Sequence, residues 1–595
     1  RAWTGASMNV ENGGPKRPDV ASAFAGARAA LSRLLSASWL RNPRVIAAAL
    51  VLGGLVCAAI GYAIARSPLP HAMRVSVLDP AAVTMRRWLG QRDQAHWERY
   101  ETHLGPFQVV RARIADEADG AMAALEELDG HLVFLTQRGA MSVLTEANEL
   151  HALAISPPMN NDALRAANLP GLNYDFFRAL DLLAIQTAPS QFDLYVSYNK
   201  FVAADSCFQI AVGRIGMSVD DGGVTPASDW EEVFTTQPCV PPRVTPDVFI
   251  GLQSGGRLVR YDERTILFST GDLEFDGVLY PGMEEAPNGP QDPSWDLGKI
   301  IALDIESGRA THWARGFRNP QGLHLDRQGR LWETEHGPYG GDEINLVRRG
   351  GNYGWPNVTY GMRYNPLYDN WPLNPTHGGH EGYDRPAHVF VPAIGVSQLI
   401  QPSEEAFPFW RSSLLVLSMR ARALYAARLD GDEIVYAEPL PMGARLRDII
   451  NRRDGEIAIV TDGGALIRIR PIENGEVSSE PFAIADLRHG DRRERLSPAQ
   501  AGQRVFAANC ASCHSLAGAT GAGPPPNGVV GRDIAATDYP FSPALEAADG
   551  AWTAQRLTSF LTEPEPRLSG TTMPAPQLTR EQARQIVAYL RTTDD

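Results

Sequence analysis

The chain has 595 residues, of which 44% are hydrophobic and 21% charged. It is too long for one hydrophobic core, and its length predicts about three to five structural units. The composition excludes wholesale disorder, and a formal net charge of -14 argues against nucleic acid as a partner.

The chain begins with a basic tail followed by an uncharged run. Residues 1–44 are rich in Ala, Gly, Ser and Pro and predict a mobile cytoplasmic tail. Residues 45–65 (VIAAALVLGGLVCAAIGYAIA) are long enough to cross the ~30 Å hydrocarbon core as a single transmembrane helix. Basic residues precede the run, so the positive-inside rule predicts a single pass through a bacterial inner membrane with the bulk of the chain in the periplasm. A cleaved signal peptide ending at Ala63-Ile64-Ala65 is the alternative, although the run is longer than a typical signal core.

A connector is predicted over residues 66–106. Within it, Asp79 to Leu104 has apolar residues at mixed helical spacing among charges, which indicates a surface helix. A plain connector without a helix is the alternative.

Residues 107–472 contain many short strand-like runs, each bounded by Gly, Asp, Asn or Pro: HLVFLTQ, FDLYVSY, RTILFST, GRLWETE, SLLVLSM and GEIAIVT. This spacing predicts an all-β sandwich, barrel or propeller, and the length of the region favours a propeller. Cys207 and Cys239 flank a turn-rich segment and could close a disulfide in an oxidising compartment, which the sequence alone leaves open.

The segment Gly316 to Gly361 (GFRNPQGLHLDRQGRLWETEHGPYGGDEINLVRRGGNYGWPNVTYG) contains four motifs in a fixed order: RNPQG, EHGP, GGDEINL and GGNYGWP. In these motifs the chain resembles the glucose/sorbosone dehydrogenase family, whose members include PQQ-dependent sugar dehydrogenases. The resemblance covers most of residues 107–472 and implies a six-bladed β-propeller.

The resemblance also implies a site for pyrroloquinoline quinone (PQQ). This cofactor carries three carboxylates and an o-quinone, so its pocket needs cations that make bidentate contacts and a hard metal. The residues at the family's cofactor-binding positions are Arg318, Asn319, Arg420, Arg445 and Arg447, with Arg420 replacing a lysine of the family.

Calcium is the metal that the resemblance implies. The main-chain carbonyls of Gly337 and Pro338 stand at the turn that holds the family's calcium, consistent with oxygen-only coordination. Glu343 and Tyr353 match positions that the family uses for a second, structural calcium.

Three departures from the family pattern affect the substrate side. Gln253 stands where the family has a catalytic histidine, and a glutamine cannot accept the hydroxyl proton. The family's GDQG appears here as Gly-Asp-Leu-Glu at 271–274, and its glutamine or glutamate before Gly-Gly-Leu-Leu has no counterpart at 176–183. His336, beside the calcium turn, is the best substitute for the base among six histidines, the others being His312, His324, His377, His380 and His388.

After a charged linker at 473–495, residues 496–595 form the last predicted domain. Ser497 is a suitable N-cap and Pro498 a suitable first helical residue, which places the next motif on or just after a helix. That motif, Cys510-Ala511-Ser512-Cys513-His514, is the haem attachment signature: two thioethers from the cysteines and His514 as proximal iron ligand.

The rest of this domain resembles mitochondrial-type class I cytochrome c, an all-α fold. The resemblance places Pro524 behind His514, Arg532 and Trp552 at the haem propionates, and Met573 at the sixth position of the iron. Thr579 caps the final helix, whose apolar stripe is Ile586, Val587 and Leu590. Phe560 replaces a tyrosine that the family often has, and the domain contains no lysine to steer it to partners. A His/Met pair leaves no open iron position, which suits electron transfer.

Two hypotheses follow for the whole chain. In the first, a membrane-anchored quinoprotein-cytochrome oxidises an aldose-like sugar or another small alcohol or aldehyde on PQQ and calcium. Its one haem c then passes electrons to a membrane electron-transport complex or a soluble cytochrome. In the second, the propeller has lost catalysis and the chain is an electron-transfer or assembly subunit of a larger membrane complex.

Overall fold

The computed structural model describes the body of the chain from Ala95 onward, with gaps. The described residues are 95–115, 121–167, 169, 177–220, 223–241, 252–277, 288–362, 379–472, 475–486, 497–511, 514, 516, 523–571, 573, 576 and 578–593. They belong to one compact unit, residues 86–595. Among them no helix has the length and apolar character needed to cross a membrane. The predicted tail and anchor, residues 1–65, lie outside the described part of the chain.

The described residues between Glu98 and Asp486 form six sheets, in which all strand pairs are antiparallel except one short parallel pair. Strands β1 (Glu98–Tyr100) and β2 (Phe107–Arg113) belong to the sixth sheet. The first sheet contains β3 (Met122–Leu128), β4 (His131–Thr136), β5 (Met141–Leu144) and β6 (Glu149–Leu153). The second contains β7 (Ala179–Ala188), β8 (Gln191–Val202), β9 (Cys207–Asp220), β10 (Gly223–Pro226) and β11 (Glu231–Thr235).

The remaining sheets follow in chain order. The third contains β12 (Gly255–Arg260), β13 (Thr265–Thr270), β14 (Lys299–Asp304) and β15 (Ala310–Arg315). The fourth contains β16 (Pro320–Leu325), β17 (Leu331–Glu335), β18 (Asp342–Val347) and β19 (His388–Phe390). The fifth contains β20 (Val396–Ile400), β21 (Ser413–Ser418), β22 (Ala423–Asp430) and β23 (Glu433–Pro441). The sixth contains β24 (Leu446–Asn451), β25 (Ile457–Thr461) and β26 (Ala465–Pro471) with β2 and β1, and β27 (Ala485–Asp486) pairs with β6.

The first strands of the six sheets contact one another in a closed ring, from β3 through β7, β12, β16, β20 and β24 back to β3. This arrangement confirms the predicted six-bladed propeller. The ring is closed by the two ends of the chain, because β2 pairs with β26 so that Phe107 lies opposite Pro471 and Arg113 opposite Ala465. A short helix, α1 (Asn161–Ala167), and a 3₁₀ turn (Pro408–Trp410) interrupt the strands.

Every first strand carries a register shift at its beginning, where two residues face one on the neighbouring strand. The shifts lie between Met122 and Ala124, Ala179 and Asp181, Gly255 and Leu258, Pro320 and Gly322, Val396 and Leu399, and Leu446 and Asp448. Bulges of this kind bend a strand and redirect its side chains. The repeated bulge therefore redirects the side chains at the same end of all six strands.

An ion group is buried between the first strands. The guanidinium of Arg257 donates to Asp181 at 2.7 Å and to Asp448 at 2.9 Å, and all three side chains are at most 5% exposed. Its other nitrogens donate to the main-chain carbonyls of Gln321 and Arg447. One arginine thus joins four of the six first strands.

The predicted helix at Asp79 to Leu104 is wrong where the structure describes it, because residues 98–100 form an edge strand paired with β2. Trp97 and Tyr100 are buried, with Tyr100 stacked on Phe107 at 5.4 Å and Arg470 over Trp97 at 4.5 Å. Their three-residue spacing resembles a helical face, but it comes from pairing with the propeller edge. The propeller accordingly extends beyond the predicted limits of 107 and 472, since β1 and β27 belong to it.

Cys207 and Cys239 form a disulfide with their Cα atoms 5.6 Å apart. The bond ties the start of β9 to the segment that follows β11. The structure thus settles the pairing that the sequence left open.

The C-terminal domain consists of α2 (Pro498–Asn509), α3 (Pro543–Glu546), α4 (Ala554–Thr562), α5 (Pro564–Arg567) and α6 (Arg580–Leu590). Helix α2 begins at Pro498, and α6 is capped by a reciprocal pair of hydrogen bonds between Thr579 and Gln582, as the sequence predicts for both starts. Ile586, Val587 and Leu590 are buried, and α6 packs against α2 and α4.

Candidate functional site

The predicted propeller residues gather at one end of the axis. Gln253, Arg318, Asn319 and Arg445 precede or begin first strands, whereas His336, Gly337 and Arg420 follow second strands. Because first and second strands are antiparallel in each blade, the start of one and the end of the next lie at the same end. We call this end the mouth.

Arg318 and Asn319 are held by their main chain. One carboxyl oxygen of Glu335 accepts the Arg318 N–H at 2.6 Å and the Asn319 N–H at 3.4 Å. Burial raises the pKa of Glu335 to about 7 despite these hydrogen bonds. The Arg318 guanidinium lies over the Trp355 ring at 5.3 Å and donates to the carbonyls of His336 and Gly337, each at 3.2 Å.

His336 has both ring nitrogens in hydrogen bonds. Nε2 lies 2.7 Å from the Val396 carbonyl, which can only accept, so Nε2 carries the proton and Nδ1 accepts from the Asn319 amide at 3.1 Å. Burial lowers the pKa of His336, which keeps the ring neutral. In this arrangement the imidazole has no nitrogen left to take a substrate proton, and it instead orients Asn319.

Arg445 and Arg447 share one carboxylate at the mouth. Their Nε atoms both donate to Asp462 at 2.7 Å, one to each oxygen. Burial alone would raise the pKa of Asp462, but the two guanidinium groups have the larger effect and lower the pKa to about 2. Within the described residues no hydrogen bond engages the Nη atoms of Arg447. The pair therefore carries a net positive charge and presents free donors, which is what an anionic ligand requires. The Arg420 side chain is exposed at the same end.

Gln253 lies against Glu274. Its amide nitrogen donates to the Glu274 carboxylate at 3.3 Å, and its carbonyl oxygen is buried without a hydrogen-bond partner among the described residues. The main chain of the same turn contacts Asn319, because the Gly255 N–H points at the Asn319 side-chain oxygen at 3.4 Å. The substrate-side and cofactor-side predictions thus belong to one site.

The predicted calcium positions have other contacts. The Gly337 carbonyl already accepts from Arg318, and the positive guanidinium beside this oxygen opposes the binding of calcium there. Glu343 is buried beside Glu335, and burial raises its pKa well above the ordinary value. The Tyr353 hydroxyl donates to the Leu346 carbonyl at 2.6 Å. In the part of the chain that is described, no three His, Cys, Asp or Glu side chains are grouped to hold a metal.

The other histidines are placed differently. His312 pairs with Asp296 at 2.7 Å on the outer strand β15, and His324 accepts the Gln401 N–H, with burial lowering its pKa to about 4. His380 stacks on Tyr360 at 4.6 Å, and His388 lies on the edge strand β19. His377 is outside the described residues.

In the C-terminal domain His514 is arranged as an iron ligand. It lies 2.8 Å from the Pro524 carbonyl through Nδ1, which must donate and so leaves Nε2 free for a metal. A Cβ at Gly523 would come within 2.5 Å of the imidazole, so only glycine fits there. Cys510 is buried directly after α2, while Cys513 lies outside the described residues. These donors fit haem attachment.

The remaining haem predictions fall in the same core. Met573 is half-buried against it, and the buried Trp552 ring lies 4.9 Å from that of Phe560. Arg532 donates to the carbonyls of Asn527 and Pro525, both at 2.9 Å, so it holds the loop that follows Pro524.

A residue at the mouth of the propeller contacts this domain. Leu252, adjacent to Gln253, packs against the apolar core of the haem domain. The mouth of the propeller and the haem domain are therefore neighbours.

Glu335, Asp462 and Glu274 contact the predicted site residues, but the sequence analysis assigned them no role. Each follows or ends a second strand, and a search for acidic residues at those positions would have found them.

The glucose/sorbosone dehydrogenase family model matches residues 121–468, and the cytochrome c model matches residues 499–594. The chain is 29% identical over 302 residues to the aldose sugar dehydrogenase YliI of Escherichia coli, covering 47% of this chain and 73% of that protein. It is 25% identical over 291 residues to the quinoprotein glucose dehydrogenase B of Acinetobacter calcoaceticus, covering 36% and 60%.

The haem domain is 35% identical over 96 residues to the c-type cytochrome cy of Rhodobacter capsulatus, covering 16% of this chain and 48% of that protein. The chain thus spans between about half and three quarters of the lengths of these relatives. Because the first family model covers more than half of the chain, the protein belongs to the glucose/sorbosone dehydrogenase family and carries a cytochrome c domain at its C-terminal end.

Proposed function

We propose that the protein is a membrane-anchored periplasmic quinoprotein-cytochrome. Its propeller oxidises an aldose-like substrate with PQQ and calcium, and its haem c passes the electrons to a membrane electron-transport chain. The uncharged run at 45–65 supports the anchor, and the disulfide between Cys207 and Cys239 supports an oxidising compartment.

The pair of arginines held by Asp462 carries the proposal. PQQ is a tricarboxylate, and Arg445 and Arg447 would bind carboxylates with the nitrogens that Asp462 leaves free. Arg318 faces the same space and would exchange its contact with the Gly337 carbonyl for a cofactor carboxylate, which would release that carbonyl for calcium. When bound, PQQ supplies an o-quinone that accepts a hydride.

Contact between the two domains supports the route of the electrons. Leu252 packs on the haem domain and is one residue from Gln253 at the mouth. Tethering keeps the haem at a high effective concentration near the quinone and avoids a bimolecular encounter.

A second candidate function is a non-catalytic electron-transfer or assembly subunit. Gln253 at the position of the family's base favours it, because an amide cannot accept a proton. In that case the propeller serves as a docking surface and the haem alone is redox-active.

Measuring how much PQQ the protein binds distinguishes the two candidate functions. The full chain, purified with its haem, is titrated with PQQ in the presence of calcium, and bound PQQ is measured by equilibrium dialysis beside the haem spectrum. One PQQ per haem, followed by haem reduction on adding aldoses, is the expected result. A chain that carries one haem but binds no PQQ after reconstitution would overturn the proposed enzymatic function and support the non-catalytic subunit.

A further inference from the structure

A turn of the fifth blade brings a further arginine to the mouth. Arg420 and Arg422 both lie in the turn between β21 and β22, at the end where second strands finish. The main chain of this turn is fixed, because the N–H groups of Arg420 and Ala421 donate to the Ile394 carbonyl at 2.9 and 3.0 Å. Arg420 stands at a position that the family resemblance predicts for PQQ, whereas Arg422 does not.

The turn that carries Arg422 is bound to the turn that leads into the sixth blade. The Arg422 carbonyl accepts the N–H groups of Met442 and Gly443 at 2.9 and 3.0 Å. Arg445 follows in the same second turn, and its Nη2 reaches back to the Met419 sulfur at 3.8 Å. Arg422 and Arg445 are therefore held on neighbouring turns of two blades.

Arg422 has no counter-charge in the part of the chain that the structure describes. No hydrogen bond or ion pair engages its half-buried guanidinium there, whereas Arg445 and Arg447 share Asp462. Burial and the nearby Arg445 guanidinium both lower the pKa of Arg422, which is the effect of a like charge that no acid offsets.

The backbone at Arg422 is strained as well. Its φ of 52° lies in the left-handed region that glycine adopts freely and that other residues adopt only at an energetic cost. A long charged side chain thus occupies a position where the backbone favours none, and strain of this kind is typical of ligand sites. An unpaired guanidinium beside a second one requires an anion.

We propose that Arg422, together with Arg445, forms a carboxylate-binding site at the mouth beyond the positions predicted for PQQ. Each guanidinium can donate two parallel N–H bonds to a carboxylate, and the bound anion removes the repulsion between the two positive charges. The inference rests on the proposed function for the source of this carboxylate, which is either PQQ itself or an acidic sugar, a uronate, that is oxidised at the mouth.

The test is Arg422→Asn in the full haem-containing chain. Asparagine removes the charge and tolerates the left-handed backbone better than most residues, so the fold is retained, which thermal unfolding checks. Calorimetry measures the binding of PQQ with calcium, and separately of methyl glucuronide, whose blocked anomeric carbon prevents turnover. Methyl glucoside is the matched neutral ligand, because it has a hydroxymethyl group in place of the carboxylate.

We expect Arg422→Asn to bind at least one of the two acids at least about tenfold more weakly than the wild type, with the affinity for methyl glucoside unchanged. Arg428→Asn is the control variant. Arg428 lies further along β22, toward the end of the strand away from the mouth, and no ion pair engages it among the described residues. This variant should bind both acids like the wild type.

The outcomes separate the two sources. Weaker PQQ binding would assign the site to the cofactor. Weaker methyl glucuronide binding with unchanged PQQ affinity would assign it to an acidic sugar, and wild-type kcat/KM for D-glucuronate should then exceed that for D-glucose at least about tenfold.

Equal affinity of Arg422→Asn and the wild type for both acids would overturn the carboxylate site and leave the proposed function standing. A wild-type chain that binds no PQQ would overturn the proposed function. Methyl glucuronide would then still decide the role of Arg422, because this titration needs no cofactor: loss of binding in the variant would support the site, and equal binding would overturn it.

Discussion

At the scale of single residues, the mouth depends on arginines whose direction is set by one acid. Replacing Arg447 with glutamine removes a charge and the Nη donors while Arg445 keeps its contact with Asp462. We expect PQQ to bind at least about tenfold more weakly, a loss of about 1.4 kcal/mol. Equilibrium dialysis measures this. Arg453→Gln is the control, because Arg453 is exposed at the opposite end of the same blade. Equal affinity in both variants would contradict a role of Arg447 in binding PQQ.

A half-buried acid, Glu126, lies near Asp448 and Asp181 and makes stability depend on pH. Burial raises the pKa of Glu126 to about 8, although hydrogen bonds from the Glu127 and Ala184 N–H groups lower it. The unfolded chain loses this proton near its ordinary pKa of 4.5, so the folded state binds more protons between about pH 4.5 and 8, and its stability falls as the pH rises through that window.

Glu126→Gln removes this dependence. The variant should unfold with nearly the same free energy as the wild type at pH 4 and be more stable by roughly 3 kcal/mol at pH 8. Urea unfolding at the two pH values measures the difference. Glu146→Gln, the loss of an exposed acid, is the control. A gain of equal size at both pH values would show that ionisation is not its cause.

At the scale of elements, each N-cap of the haem domain makes a separable contribution. Thr579→Ala removes the hydrogen bond that the Thr579 hydroxyl accepts from the Gln582 N–H, while the Thr579 N–H can still donate to the Gln582 side chain. The loss should lower the unfolding free energy of this domain by about 1 kcal/mol. Thermal unfolding followed at the haem absorbance measures it. Thr592→Ala, beyond the other end of α6, should have a much smaller effect, and equal losses in both variants would contradict the role of the cap.

The sequence predicts some elements better than others, and the reason lies in their burial. The six strand-like runs predicted from residues 107–472 correspond to β4, β8, β13, β17, β21 and β25, which are the second strands of the six blades. A second strand is covered on both faces, as in β21, where every residue is buried, so it appears as a continuous apolar run. Outer strands such as β15 are half exposed and give a weaker signal.

In the candidate site, too, some residues could be predicted from the sequence and others could not. Arg318 and Asn319 belong to a local motif and were found from sequence, whereas Asp462 and Glu335 act on residues 15 to 17 positions away through the pairing of strands. Such contacts have no local pattern. The edge strand at Glu98–Tyr100 was missed for a related reason, since only its partner β2 makes it a strand.

At the scale of the whole molecule, Leu252 connects the mouth of the propeller with the haem domain. Leu252→Asp places a charge in an apolar contact. We expect the rate of haem reduction after mixing with substrate to fall at least about tenfold, while reduction of a small dye at the proposed quinone site stays unchanged. Stopped-flow absorbance measures both. Val435→Asp is the control, because Val435 is 62% exposed on an outer strand. Unchanged haem reduction in Leu252→Asp would show that this contact does not guide the electrons.

The pairing of β2 with β26 also constrains the order of events during biosynthesis. The first of these strands leaves the ribosome more than 350 residues before its partner, so the ring stays open until Pro471 has been made. The haem attachment motif at Cys510 follows only about 40 residues later. A nascent chain that emerges into the compartment of haem ligation therefore exposes the haem-binding thiols at about the time when β26 can pair with β2. Closure of the propeller and attachment of the haem thus become nearly simultaneous steps of maturation.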